Sequence, residues 1–121
     1  MGKSILKEKS YNFAIRTVNL TRHLRDQKDE FVLSKQLLRS GTAIAALIRE
    51  AEFGQSRADF RNKMYIALKE ANETDYWLNL LKDTKYIGLD AFESISEDCT
   101  ELIRILVATV KTTAKPPEPR D

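Results

Sequence analysis

The stretch SGTAIAALIREAEFGQSRADF, residues 40–60, is small and apolar at first, becomes acidic, breaks at Gly54 and restarts at Ser56. Ile44 and Ile48 have the spacing of one helix face. Glycine is favoured just after the end of a helix and serine just before the start of one, so these two positions predict a break between helices. Because the turn between the helices is so short, the second and third helices of the chain must run antiparallel.

Outward from this hairpin, the third helix (about 56–83) carries an unbroken apolar seam with spacings of 4 and 3, large at its ends and small at its centre. Its members are Phe60, Met64, Ala67, Ala71, Thr74, Leu78 and Leu81. Glycine costs about 1 kcal/mol relative to alanine inside a helix, so Gly41 needs a packing reason. The pattern predicts that Gly41 and Ala45 lie against the small centre of the seam, at a close crossing of the two helices.

Two acids, Glu50 and Glu52, lie near the end of the second helix, where the helix dipole disfavours negative charge. We therefore expect them to have basic partners. The nearest candidates along the chain are Arg57 and Arg61, just past the turn.

The rest of the chain has the same helical periodicity. The first helix is predicted at about 4–26, the second at about 34–53 with Ser34 as its N-cap, and the fourth at about 90–113. Four helices with short connections predict an all-α fold, an antiparallel up-down-up-down four-helix bundle over residues 1–113. The proline-rich end, residues 114–121, is predicted to be a disordered tail.

Composition removes several classes of function. The single cysteine, Cys99, allows no internal disulfide and no cysteine-based zinc site. A carboxylate-bridged metal pair in a helical bundle would need Glu-x-x-His motifs, and the only histidine, His23, has no acid three residues before it. No apolar run approaches the roughly 20 residues that span a membrane. We expect a cytoplasmic protein with no metal, cofactor, membrane or small-molecule substrate.

The net charge of +2 does not demand a nucleic-acid partner, but its distribution is uneven. Residues 1–28 carry seven lysines and arginines against two acids, and residues 86–121 carry four against seven. Basic side chains on helices either meet phosphates or form a solvated face. The candidate nucleic-acid-binding residues lie on the first helix and around the turn after the second: Lys7, Arg16, Arg22, Arg57, Arg61 and Lys63.

Apolar side chains cover more than half the circumference of the fourth helix, which suggests burial on more than one side, as at a subunit interface. Aromatic residues beside the seam of the third helix cover a core edge or an oligomer contact more often than they form a base-stacking site. The candidate interface residues are Tyr76, Trp77, Ile103, Val107 and Val110.

Residues 38–81, LRSGTAIAALIREAEFGQSRADFRNKMYIALKEANETDYWLNLL, resemble the bacterial four-helix-bundle proteins related to those encoded by intervening sequences in 23S ribosomal RNA genes. The resemblance extends over roughly residues 8–110, and KMYIALKEANETDYWLNLL is its most specific part. The sequence departs from the family pattern at Ala45 and Leu47, where the pattern usually has glycine and asparagine.

The resemblance implies an antiparallel bundle that assembles as a ring-shaped homopentamer, with no established catalytic activity and no cofactor. A similar fold occurs in the accessory variability proteins of diversity-generating retroelements, which form basic pentamers and bind nucleic acid. By this analogy the chain is expected to be a non-enzymatic oligomer that binds RNA or DNA. The alternatives are a scaffold with a protein partner and, less favoured, a helical ribonuclease that uses Arg16 and His23 on one helix face.

Overall fold

Four helices follow one another in a computed structural model that describes residues 2–114, with side chains from residue 5 onward. They are α1 (Gly2–Lys28), α2 (Leu33–Glu52), α3 (Arg57–Asp83) and α4 (Leu89–Ala114). Each helix packs on the next one, and α4 returns to α1 to complete an antiparallel up-down-up-down bundle, as predicted. The predicted tail lies outside the described residues except for Ala114, which ends α4.

The predicted apolar stripes fill the interior. The seam of α3 is buried from Met64 to Leu81, and Phe60 packs against the edge of the core. The largest side chains that are almost completely buried come from all four helices: Phe13, Leu24, Leu37, Ile44, Ile48, Leu78, Leu81, Leu102 and Leu106. Removal of these side chains from water is the main force that holds the bundle together.

The start of α2 differs from the prediction that Ser34 is its N-cap. The helix begins at Leu33, and the carboxylate of Glu30 accepts the backbone N–H groups of Val32, Leu33 and Ser34 at 2.6–3.2 Å. The Ser34 hydroxyl instead donates to the carbonyl of Glu30. A glutamate that precedes the helix therefore does the capping, which a search for short capping side chains does not find.

The break after α2 occurs at the predicted place but for a different reason. None of the described glycines has a positive φ, so Gly54 does not act as a left-handed cap. A Cβ added at Gly54 would lie 2.9 Å from the Asp59 carboxylate and 3.2 Å from the Ala51 carbonyl. The close approach of the Ala51 carbonyl leaves little room for a side chain at this position, which favours glycine. Ser56 caps α3 as predicted, since its side chain accepts the N–H of Asp59.

The close helix crossing at Gly41 involves α1 and not the predicted α3. A Cβ at Gly41 would lie 2.6 Å from Cγ2 of Thr17, a fully buried residue of α1. The contact between α2 and α3 is made one residue earlier, where the hydroxyls of Ser40 and Thr74 lie 2.9 Å apart in a buried hydrogen bond. Neighbouring residues of α2 thus serve two different helix pairs.

Candidate nucleic-acid interface

Two of the predicted basic residues, Lys7 and Lys63, meet in one surface groove of about 710 Å³ between α1 and α2. We call this feature the α1–α2 groove. It is formed by the first half of α1, the second half of α2 and the start of α3. Its lining residues are Lys7, Tyr11, Ala14, Thr42, Ala45, Ala46, Arg49, Glu50, Phe53 and Lys63.

Small side chains make the groove possible. Ala14 comes from α1, and Thr42, Ala45 and Ala46 come from α2. Ala45 therefore lies on the surface between α1 and α2. The sequence prediction that it lies against α3 was wrong. A larger residue at these positions would fill the groove, so the small residues of the opening stretch serve the surface as well as the helix crossing.

The acids of α2 have basic partners, but not the predicted arginines. Glu50 pairs with Nζ of Lys63 at 3.1 Å, and Glu52 pairs with Nζ of Lys7 at 3.5 Å. Arg49 lines the groove and forms no salt bridge with a described residue. Two of the three cations in the groove lining are thus paired with carboxylates, and Arg49 supplies the excess positive charge that favours a negatively charged ligand.

The other predicted cations lie outside the groove lining. The guanidinium of Arg16 binds α4 through Asp98 at 2.6 Å and through the side chain and carbonyl of Ser94. Arg57 donates to the carbonyl of Thr112. Arg61 is half-buried, and its Nε has no hydrogen-bond partner in the described part of the protein. Arg22 lies exposed, further along α1.

Two aromatic rings flank the cations of the groove. Tyr11 is 55% exposed and Phe53 is 79% exposed, so both rings are accessible to a ligand in the groove. Sequence reasoning missed both rings and Arg49. The available signal was the position of Phe53 at the end of α2, outside the apolar stripe, and of Tyr11 next to the α1 stripe. Exposed rings beside cations are typical of surfaces that stack nucleic-acid bases.

The predicted oligomer-interface residues have mixed environments. Tyr76 is exposed and makes an edge-to-face contact with the half-buried ring of Trp77, with their centroids 4.9 Å apart. Ile103 and Val107 are half-buried, and Val110 is a member of the protomer's own core. Their role in subunit contact stays a prediction.

Trp77 is fixed by a polar network that links α2 to α3. Its indole N–H donates to Glu73, which also pairs with Arg39 of α2. The Trp77 indole, followed by the Arg39 guanidinium, lowers the pKa of Glu73 more than partial burial raises it. Arg39 also pairs with Glu70 at 3.2 Å. This network orients the Trp77 ring at the bundle surface.

Cys99 lies in the core, where its thiol is within 3.5 Å of the Ala71 carbonyl. Burial raises the pKa of this thiol to about 12, so it stays protonated and unreactive at neutral pH. In residues 2–114 no group of three or more His, Cys, Asp or Glu residues is arranged to hold a metal ion. Among the helices described, none has the length and apolar character needed to cross a membrane.

The fold and the groove define a class of protein: an antiparallel four-helix bundle with a basic, aromatic surface groove between its first two helices. The sequence profile of the family described as 23S rRNA-intervening sequence protein matches residues 3–108. The chain belongs to this family, as the resemblance predicted.

The fold is similar to the crystal structure of a protein of unknown function from the S23 ribosomal protein family of Bacteroides thetaiotaomicron VPI-5482. The two proteins are 56% identical, with a TM-score of 0.90 over 92% of this chain and 99% of that chain. Comparison with curated proteins gave no match.

Proposed function

We propose that the protein is a non-enzymatic, cytoplasmic homo-oligomer, a pentamer by family resemblance, that binds RNA or DNA along the α1–α2 groove. The observation that supports this proposal is the meeting of Lys7, Arg49 and Lys63 with the exposed rings of Tyr11 and Phe53. Cations attract phosphates without regard to sequence, and aromatic rings stack on bases that are not paired. The groove therefore suits unpaired nucleotides better than a regular duplex.

Assembly into an oligomer would raise the affinity for nucleic acid above that of a single groove. A single groove offers only a few cations, and two of them share their charge with Glu50 and Glu52. Five copies in one ring would present five grooves to the same nucleic acid, which raises the overall affinity through a high effective concentration. A net charge of only +2 per chain is compatible with binding of this kind.

The groove is tested by substitutions that separate charge from stacking. Arg49→Gln is expected to weaken the binding of an RNA with unpaired loops and to reduce the slope of log affinity against log salt by about 0.7–0.9, the value for one phosphate contact. Phe53→Ala is expected to cost about 1–3 kcal/mol of binding free energy and to leave the slope unchanged. Fluorescence anisotropy across a salt series measures both quantities.

Matched controls lie on the outer face of α3. Lys69→Gln removes an exposed cation and Tyr65→Ala an exposed ring, and neither residue lines the groove. If the groove variants and the control variants lose the same amount of RNA-binding affinity, the groove is not the binding site. Association with a protein partner that is insensitive to salt, without RNA binding, would favour the scaffold alternative. RNA cleavage that is lost in His23→Ala would favour the ribonuclease alternative.

A further inference from the structure

A second basic feature lies at the end of the bundle opposite the α1–α2 groove. Here the last turns of α1 and α3 and the start of α4 border an open cavity of about 620 Å³. His23 and Lys28 line it from α1, and Lys82 and Lys85 line it from the end of α3 and the following loop. We call this cavity the lysine pocket. None of the residues that line it is an aspartate or a glutamate.

The charges at the pocket contrast with those along the rest of the boundary between α1 and α4. Elsewhere opposite charges join the two helices: Lys9 pairs with Glu101 at 3.2 Å, and Arg16 pairs with Asp98 at 2.6 Å. At the pocket, positive groups from α1 and from the α3–α4 region line the same space. An anion bound in this space would therefore have positive charges on more than one side.

Two of the lysines have few internal partners. Lys28 and Lys85 make no salt bridge with a described residue, and Lys82 has a pairing of 3.7 Å with its neighbour Asp83. Lys82 also lies 4.3 Å from the centre of the Phe92 ring, which is not part of the pocket lining. The amino end of α4 also lies at the pocket, and Asp90 in its first turn already places a negative charge at the positive end of the helix dipole.

The backbone conformation of Lys85 follows from the way α3 ends, and this end places Lys85 at the pocket. Lys85 has a φ of 68°, in the left-handed region that side chains other than glycine and asparagine rarely adopt. The N–H of Tyr86 donates to the Leu81 carbonyl at 2.9 Å, so Lys85 occupies the C′ position of a helix end, where glycine is usual.

The shape of the pocket indicates the ligand. Its volume exceeds that of a bare phosphate and lies in the range of sites for small organic ligands. Tyr86, Ile87 and Leu89 supply an apolar wall beside the cations. We propose that the lysine pocket binds a phosphorylated nucleoside, with its phosphates on Lys28, Lys82 and Lys85 and its base against Tyr86. The ligand is either a free nucleotide or the 5′-phosphorylated end of an RNA strand.

The test uses the full chain and two probes, ADP and inorganic pyrophosphate, in calorimetric titrations at low salt. We expect saturable binding of both, with ADP tighter because only ADP reaches the apolar wall. Lys28→Gln/Lys85→Asn is expected to weaken both at least tenfold. This variant should fold, because asparagine tolerates the left-handed conformation better than lysine. The control Lys69→Gln/Lys111→Gln removes two exposed lysines outside the pocket and is expected to bind both probes as the wild type does.

The absence of saturable binding, or equal weakening in the two double variants, would overturn the proposal. Pyrophosphate binding as tight as ADP binding would overturn its nucleoside part. A preference for 5′-phosphorylated over 5′-hydroxyl RNA that disappears in Lys28→Gln/Lys85→Asn would assign the pocket to RNA ends. ADP binding without that preference would assign it to free nucleotides. Phe53→Ala separates this site from the groove, since it should weaken RNA binding and leave ADP binding unchanged.

Discussion

At the scale of single residues, Glu30 shows how much can depend on one side chain in a loop. It is buried, yet its carboxylate is satisfied by three backbone N–H groups at the start of α2. Burial by itself would raise the pKa of Glu30, but the donors Leu33, Ser34 and Val32 outweigh burial, and the pKa lies below its ordinary value of 4.5. The negative charge of Glu30 also lies at the positive end of the α2 dipole, and this interaction stabilises the helix.

Replacement of Glu30 by Ala is therefore expected to lower the free energy of unfolding by about 1–2 kcal/mol at neutral pH, the usual cost of a lost N-cap. Because folding lowers the pKa of Glu30, its ionised form stabilises the protein above pH 4.5 or so, and this contribution is lost as the pH falls through the folded-state pKa. Urea denaturation of wild type and Glu30→Ala between pH 3 and 7, roughly, measures both effects.

The exposed Glu8 provides the control, because Glu8→Ala removes a carboxylate that caps no helix. The free energies of unfolding of wild type and Glu30→Ala should converge as the pH falls. If their difference stays constant down to the lowest pH, Glu30 is not a capping carboxylate with a lowered pKa.

At the scale of helices, the contacts of α2 show which features of the fold can be predicted from sequence. The four helices and the buried seam of α3 follow from periodicity and end signals, which are local. The partner of a small residue is not local, because Ser40 and Gly41 are adjacent in the chain but contact α3 and α1 respectively. Their directions on the helix differ by about 100°, and periodicity alone does not tell which neighbour each direction meets.

The same limit applies to the candidate sites. Sequence found Lys7 and Lys63 but not the rings of Tyr11 and Phe53 that accompany them, since the groove forms only where α1 and α2 lie side by side. The sequence predicted that Arg16 binds nucleic acid, whereas in the fold Arg16 forms a salt bridge with Asp98 of α4. Lys28 and Lys85 come together only through the return of α3 to the end of α1.

Gly41→Ala tests the α1–α2 crossing. The added Cβ would lie within 2.7 Å of both Cγ2 and Oγ1 of the buried Thr17, so the helices must shift. We expect a loss of about 1–3 kcal/mol in the free energy of unfolding, even though alanine is the better helix former. Thermal and urea unfolding measure the change.

Two further variants make this prediction specific. Combination with Thr17→Ala removes the clashing atoms, so the double variant should lose less stability than the sum of the single variants. Gly88→Ala is the control, because no atom of the described residues lies within 4 Å of a Cβ at that position. A Gly41→Ala variant as stable as Gly88→Ala would show that the crossing is looser than the structure indicates.

At the scale of the whole molecule, the chain has a small net charge but carries two groups of basic side chains at opposite ends of the bundle. The α1–α2 groove combines cations with exposed rings at one end of the bundle, and the lysine pocket combines cations with an apolar wall at the other. Between them, ion pairs such as Lys9–Glu101 and Arg16–Asp98 neutralise the boundary of α1 and α4. In an oligomer both features would be repeated in every subunit, which is how a weakly charged chain could hold a nucleic acid.

The central claim is that this bundle acts as an oligomer that binds nucleic acid. Light scattering after size exclusion tests it most directly, on the protein alone and with a structured RNA at low and moderate salt. We predict a particle of about five times the 13.9 kDa chain mass that gains mass with RNA, and a gain that shrinks as salt rises. A monomer, or a pentamer whose mass RNA does not change even at low salt, would contradict the claim.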